Sequence, residues 1–162
     1  MSVSSQRIFV TGGRGRLASL VSDHFRAPAY ATTLFSRQGD AGFQPLARLL
    51  DPTVLAGADV ILHLAWSSLP ATSEQQPGLE ERSDLPFLGH LLDALASGPA
   101  TRRVRLVFFS SGGAVYGNAP GRPNREDDQC APVGAYGRGT LAAEQLIRAR
   151  AARDGLATTV LR

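Results

Sequence analysis

The feature that most constrains this chain is a β-branched and aromatic run, Arg7-Ile-Phe-Val-Thr11. It breaks into Gly12-Gly-Arg-Gly-Arg16 and continues as apolar residues at helical spacing. A strand that feeds a helix through a glycine-rich turn has few places to go. The turn must be tight, and the helix must cross over the sheet towards a parallel neighbour. Gly12 permits the turn and Gly15 lets backbone approach a pyrophosphate. The helix beyond offers unpaired amides and the positive end of its dipole. Ala18 stands where a third glycine is usual and is small enough for close helix–strand packing.

Strand and helix signals then alternate to the last residue. The first helix carries Leu17, Leu20, Val21 and His24/Phe25 on its apolar face and stops at Pro28. Residues 32–36 predict a second strand, 46–50 a short third one, and 59–64 a fully apolar strand buried on both faces. Leu85, Leu88, Leu91, Leu92 and Leu95 line a helix that ends near Gly98-Pro99, and 104–110 form another strand. A helix over 136–153 places Leu141, Gln145, Leu146 and Ala149 on one side and closes at Gly155, before a last strand over 156–161. The expectation is one α/β unit over residues 1–162, a doubly wound parallel sheet of Rossmann type with five or six strands. The connections 66–83 and 112–135 are long for this architecture, and such loops commonly carry function.

Composition closes off other classes. The chain has 162 residues, 43% of them apolar, and a net charge of +3 from 17 basic and 14 acidic residues. Every basic residue is Arg; there is no Lys. That apolar share excludes a disordered chain, and no run approaches the ~20 residues of a membrane span. Met1-Ser-Val-Ser-Ser has no leader character, and the single Cys130 forms no internal disulfide, so a reducing, cytoplasmic setting is expected. The arginines are spread along the chain, and the densest group (Arg102, Arg103, Arg105) merely precedes a strand, so no nucleic-acid partner is expected. No grouping of residues suggests a metal site.

In a dinucleotide fold an acidic residue ~20 positions after the glycines binds the ribose 2′-hydroxyl of NAD. Here that place holds Ser36, followed by Arg37. A hydroxyl with a guanidinium suits a 2′-phosphate, and NADP is expected over NAD.

Three further stretches complete a pattern: His63-Leu-Ala-Trp66, Phe109-Ser-Ser-Gly-Gly-Ala-Val-Tyr-Gly117, and Ala135-Tyr-Gly-Arg-Gly-Thr-Leu-Ala-Ala-Glu-Gln-Leu146. With the glycine turn, and over the whole chain, they resemble the extended short-chain dehydrogenase/reductases, in the nucleotide-sugar epimerase/dehydratase branch. The resemblance implies an oxidoreductase-type site in which a Tyr exchanges a proton with a sugar hydroxyl while hydride passes to or from nicotinamide. Tyr136 matches that Tyr and, with Ser111, is the expected catalytic pair. The expected cofactor contacts are Gly12, Gly15, Arg16, Leu17, Ser36, Arg37, Leu64, Ala65, Trp66 and Tyr136.

The departures are as informative. The family's Lys, four residues after the Tyr, is Thr140 here, and Arg138 lies on another helical face. A Lys charge would lower the Tyr pKa, and Thr carries none. The family's Ser or Thr falls on Gly112, with Ser111 one residue before it, and its Asn falls approximately on Asp84. Members continue for about as many residues again, so the substrate-binding half is expected to be absent after the sixth strand. Three readings follow: an enzyme acting on a nucleotide-linked sugar, a catalytically impaired NAD(P)-binding protein or fragment, and a non-enzymatic interaction module. An unpaired sheet edge would invite a homodimer. His63 reads as a packing residue at a strand end, Trp66 as packing under a loop or lining the cofactor cleft, residues 125–128 as a solvated loop, and Cys130 as structural.

Overall fold

Six strands pair side by side in the order β3-β2-β1-β4-β5-β6, every pairing parallel. In the computed structural model, which describes residues 5–26, 28–118 and 121–162, the strands are β1 Gln6–Thr11, β2 Tyr30–Ser36, β3 Gln44–Pro45, β4 Val60–His63, β5 Arg105–Phe109 and β6 Thr158–Leu161. Most of Met1-Ser-Val-Ser-Ser lies outside the described residues. The helices are α1 Arg16–His24, α2 Pro52–Leu55, α3 Pro70–Gln75, α4 Leu79–Arg82, α5 Asp84–Ala96, α6 Pro99–Arg102, α7 Gly112–Val115 and α8 Ala135–Asp154. This is the expected Rossmann-type sheet. The chain winds outwards from β1 to β3, returns to β4 and winds the other way, so the carboxyl ends of β1 and β4 flank the point where the order reverses. That crevice is where ligands sit in open α/β sheets.

The two faces are covered unequally. On one, Phe35, Ile61, Leu106 and Phe108 pack under Leu88, Leu91 and Leu95 of α5 and Ala143 and Ile147 of α8. On the other, Ile8, Val10 and Leu62 lie under Ala18 of α1, and Val60, Val107 and Phe109 are only partly buried.

Three local expectations fail, each for a physical reason. Residues 46–50 form a 3₁₀ turn rather than a strand; Pro45 has no N–H to extend the pairing, and Pro52 then starts α2 with the Asp51 carboxylate accepting from Thr53 N–H. On α1, Leu17 and Leu20 are 47% and 69% exposed, because the helix meets the sheet through Ala18, Val21 and Phe25. On α8 the inward side is Gly137, Thr140, Ala143, Glu144 and Ile147, and Gln145 and Ala149 face outwards. An apolar pattern misses that face, since Gly139 is buried there too and four of the six buried residues are Gly, Gly, Thr and Glu. The long connections also contain structure: α3 and α4 lie within 66–83 and α7 opens 112–135.

Candidate functional site

The turn after β1 is fixed from three sides. Gly12 has φ +69°, and a Cβ there would stand 2.9 Å from the backbone of Leu64 and Ala65. Only glycine suits a position that is both left-handed and this close to a neighbouring strand end. Gly13 N–H donates to the Phe35 carbonyl at 2.8 Å, and Gly15 N–H closes the turn on the Gly12 carbonyl at 2.8 Å. Gly15 precedes α1 in extended backbone and offers no capping side chain, so the first amides of the helix remain available to an anion.

Thr11 and His63 lock the strand ends beneath this turn. The Thr11 hydroxyl accepts from Leu64 N–H at 3.0 Å and Ala65 N–H at 2.9 Å, and its single proton points to His63 Nδ1 at 2.9 Å. That assigns the proton of the neutral ring to Nε2. His63 is 2% exposed, stacks near Phe87 and Phe108, and burial depresses its pKa to about 4. It is a packing residue, as its place at a strand end suggests.

Above these residues opens a cavity of about 840 Å³. Gly12, Gly15, Ser36, Arg37, Leu64, Ala65 and Trp66 line it together, seven of the expected cofactor contacts. Arg16, Leu17, Tyr136 and Ser111 are not in its wall. Sequence reasoning missed Arg14, which pairs with Asp40 and stacks 4.5 Å over the Phe43 ring, and Ser67 beyond the end of β4; Asp84, where the family's Asn was expected, also lines the cavity from the head of α5. The Ser36 hydroxyl is already donated to the Gln38 carbonyl, leaving Arg37 as the group at the β2 end that faces a ligand with charge.

The second candidate centre surrounds the start of α8. Tyr136 is half-buried, and a Cβ on Gly137 would fall 2.5 Å from the Ala114 carbonyl, so this glycine lets α7 rest on the helix next to the Tyr. Gly139 does the same for α4, since its Cβ would lie 2.7 Å from Glu80 Cγ. Glu74 of α3 caps α8 from outside, its carboxylate accepting Ala135 N–H at 2.7 Å. Glu80 is 1% exposed; burial favours its neutral form, but the Ser68 hydroxyl and other donors hold its pKa below the usual range. Burial, and then the Glu80 charge, push the Tyr136 phenol above its ordinary value. Thr140 spends its hydroxyl on the Tyr136 carbonyl at 2.8 Å.

Residues 8–162 match the pattern of the NAD-dependent epimerase/dehydratase family. The chain belongs to that family. A UDP-glucose 4-epimerase of Azospirillum brasilense is 30% identical across 99% of this chain and 49% of its own length. One from Corynebacterium glutamicum is 29% identical across 96% of this chain and 50% of its own. The solved UDP-glucose 4-epimerase of Brucella ovis, in complex with NAD, superposes with a TM-score of 0.84 at 25% identity, covering 98% of this chain and 51% of that one. The chain thus spans about half the length of the relatives it matches. Within this epimerase/dehydratase frame the cavity fits a nicotinamide dinucleotide: it has the volume, a glycine turn packed too closely on the end of β4 to admit a Cβ at Gly12, and helix amides without a capping side chain. No helix among the described residues is long and apolar enough to cross a membrane. Nor do those residues contain a group of His, Cys, Asp and Glu that could hold a metal.

Proposed function

We propose that this chain holds a nicotinamide dinucleotide in the cavity above β1 and β4 and serves an epimerase or dehydratase reaction on a nucleotide-linked sugar, with UDP-hexoses as the first candidates. The carrying observation is the convergence of Gly12, Gly15, Arg37 and Ala65 on one cavity at the reversal of strand order. The bound dinucleotide would supply a hydride acceptor. The chain's own residues supply the rest: the α1 amides take the pyrophosphate, Tyr136 exchanges a proton with a sugar hydroxyl, and Ser111 at the head of α7 steadies that hydroxyl. Arg37 faces the adenosine end and favours a 2′-phosphate, so NADPH binds more tightly than NADH. A homodimer across the β6 edge and a cytoplasmic location belong to the same reading.

A second reading, an impaired NAD(P)-binding protein, is favoured by the chemistry around Tyr136. With Thr140 in place of a cation and Glu80 nearby, the phenol stays protonated and gives up its proton reluctantly. The variant Thr140→Lys separates the two. Under the enzyme reading, turnover of UDP-glucose with bound cofactor is measurable in wild type, is lost in Tyr136→Phe, and rises about tenfold or more in Thr140→Lys, as one added acid/base contribution allows. Cofactor binding with no turnover in any of the three supports the impaired reading.

A further inference from the structure

Asp84 opens α5 and lines the same cavity as Ser36 and Arg37 at the end of β2. It is 8% exposed. Its Oδ1 accepts two hydrogen bonds from one residue, Ser67 N–H at 3.0 Å and the Ser67 hydroxyl at 2.8 Å. Its Oδ2 is buried and has no partner among the described residues. A buried carboxylate oxygen without a donor is costly, so its retention calls for an explanation beyond packing. Arg37, on the same cavity, is the cation whose charge bears on Asp84, while Glu80 adds a repulsive charge. With the pyrophosphate on the glycine turn, as the dinucleotide reading has it, the lining residues Ser36, Arg37, Ala65 and Asp84 are left to the adenosine half.

Resting on the dinucleotide reading, we infer that Asp84 is the acceptor for the adenosine ribose, taking a hydroxyl hydrogen bond on Oδ2, and that it opposes Arg37 in setting the choice between NAD and NADP. The carboxylate that dinucleotide folds commonly place at the end of the second strand is Ser36 in this chain. Here the acidic group arrives from α5 instead, across the cavity. A ribose hydroxyl satisfies Oδ2; a 2′-phosphate brings negative charge towards it and is tolerated only through Arg37. Burial raises the Asp84 pKa against the pull of the Ser67 hydrogen bonds, and a hydroxyl donor on Oδ2 would favour the charged carboxylate and offset that cost.

The test is calorimetric titration of the full chain and of Asp84→Asn with NADH and with NADPH. Losing a charge-assisted acceptor should weaken NADH about tenfold or more, while NADPH binding holds or tightens, so the affinity ratio moves at least about tenfold towards NADPH. Should Asp84→Asn fold poorly, the double variant Ser67→Ala/Asp84→Ala removes the carboxylate together with the hydroxyl it accepts from, leaving only the residue 67 backbone N–H without its acceptor, and the same change in ratio is expected. Equal weakening of both cofactors, or no change in either, overturns the inference and leaves the dinucleotide reading standing. Silence of the folded wild-type chain with both cofactors overturns the two together.

Discussion

His63 shows how one residue ties the fold to the site. Its Nδ1 must stay unprotonated, because the only proton on Thr11 is directed at it and the Thr11 oxygen already receives two backbone amides from the β4 end. Protonating the ring therefore breaks the contact that holds the strand end against the glycine turn. With a pKa near 4 in the fold against an ordinary 6.5, neutral His63 favours the folded state above pH 6.5, and that advantage drains as pH falls towards 4. Urea unfolding of wild type and His63→Gln should show it. The stability gap between them narrows by about 2–3 kcal/mol between about pH 7.5 and about pH 4.5. A gap that does not change with pH contradicts the assignment. The sequence marks His63 as a packing residue because it ends an apolar strand. Its partner Thr11 gives no such sign, since a Thr closing a strand is ordinary.

At the scale of elements, α8 carries most of what the sequence conceals. Glu144 is fully buried, accepts from Ser110, and binds Arg162 at 2.7 Å; Arg162 in turn donates to the Tyr116 hydroxyl and lies over its ring. Burial works against the Glu144 charge, but the Arg162 and Ser110 hydrogen bonds outweigh it and keep its pKa below the usual range. This one carboxylate joins α8 to the ends of β5 and β6. Glu144→Ala strands the 11%-exposed Arg162 and should cost about 3–5 kcal/mol of unfolding free energy, measured by denaturant titration at neutral pH. A loss below about 1 kcal/mol would show a solvated pair of little consequence. Hydrophobic periodicity located the helix and its Gly155 end, at φ +67°, yet assigned the wrong face. The face is polar and small because of its neighbours: Gly137 admits α7, Gly139 admits Glu80, and Glu144 awaits Arg162 just past β6. Such reasons lie on other elements, and a local pattern cannot hold them.

For the whole molecule, the alternation of β-branched runs with helical spacing was enough to predict a parallel sheet of five or six strands, though the third strand lies at Gln44–Pro45 rather than over 46–50, because buried parallel strands and crossover helices leave different periods in a chain. Legible too was the grouping of Gly12, Gly15, Leu64, Ala65 and Trp66 on one cavity, since they follow strand ends that the topology must bring together. Asp84 was reached only approximately, through the family's Asn position, and Arg14 not at all, since a residue within the turn carries no distinctive spacing. The unequal cover of the two sheet faces, with Leu161 44% exposed at the edge, is a property of the assembled fold and has no local signature. The central claim is that the cavity over β1 and β4 holds a dinucleotide. Calorimetric titration of the purified chain with NADPH and then NADH tests it directly, beside Gly12→Ala, which costs about 1–3 kcal/mol of backbone strain and pushes a methyl group into the Leu64–Ala65 backbone. Saturable binding to the wild-type chain, tighter for NADPH and abolished in a Gly12→Ala variant that still folds, is the predicted result; a folded wild-type chain that binds neither cofactor would contradict it.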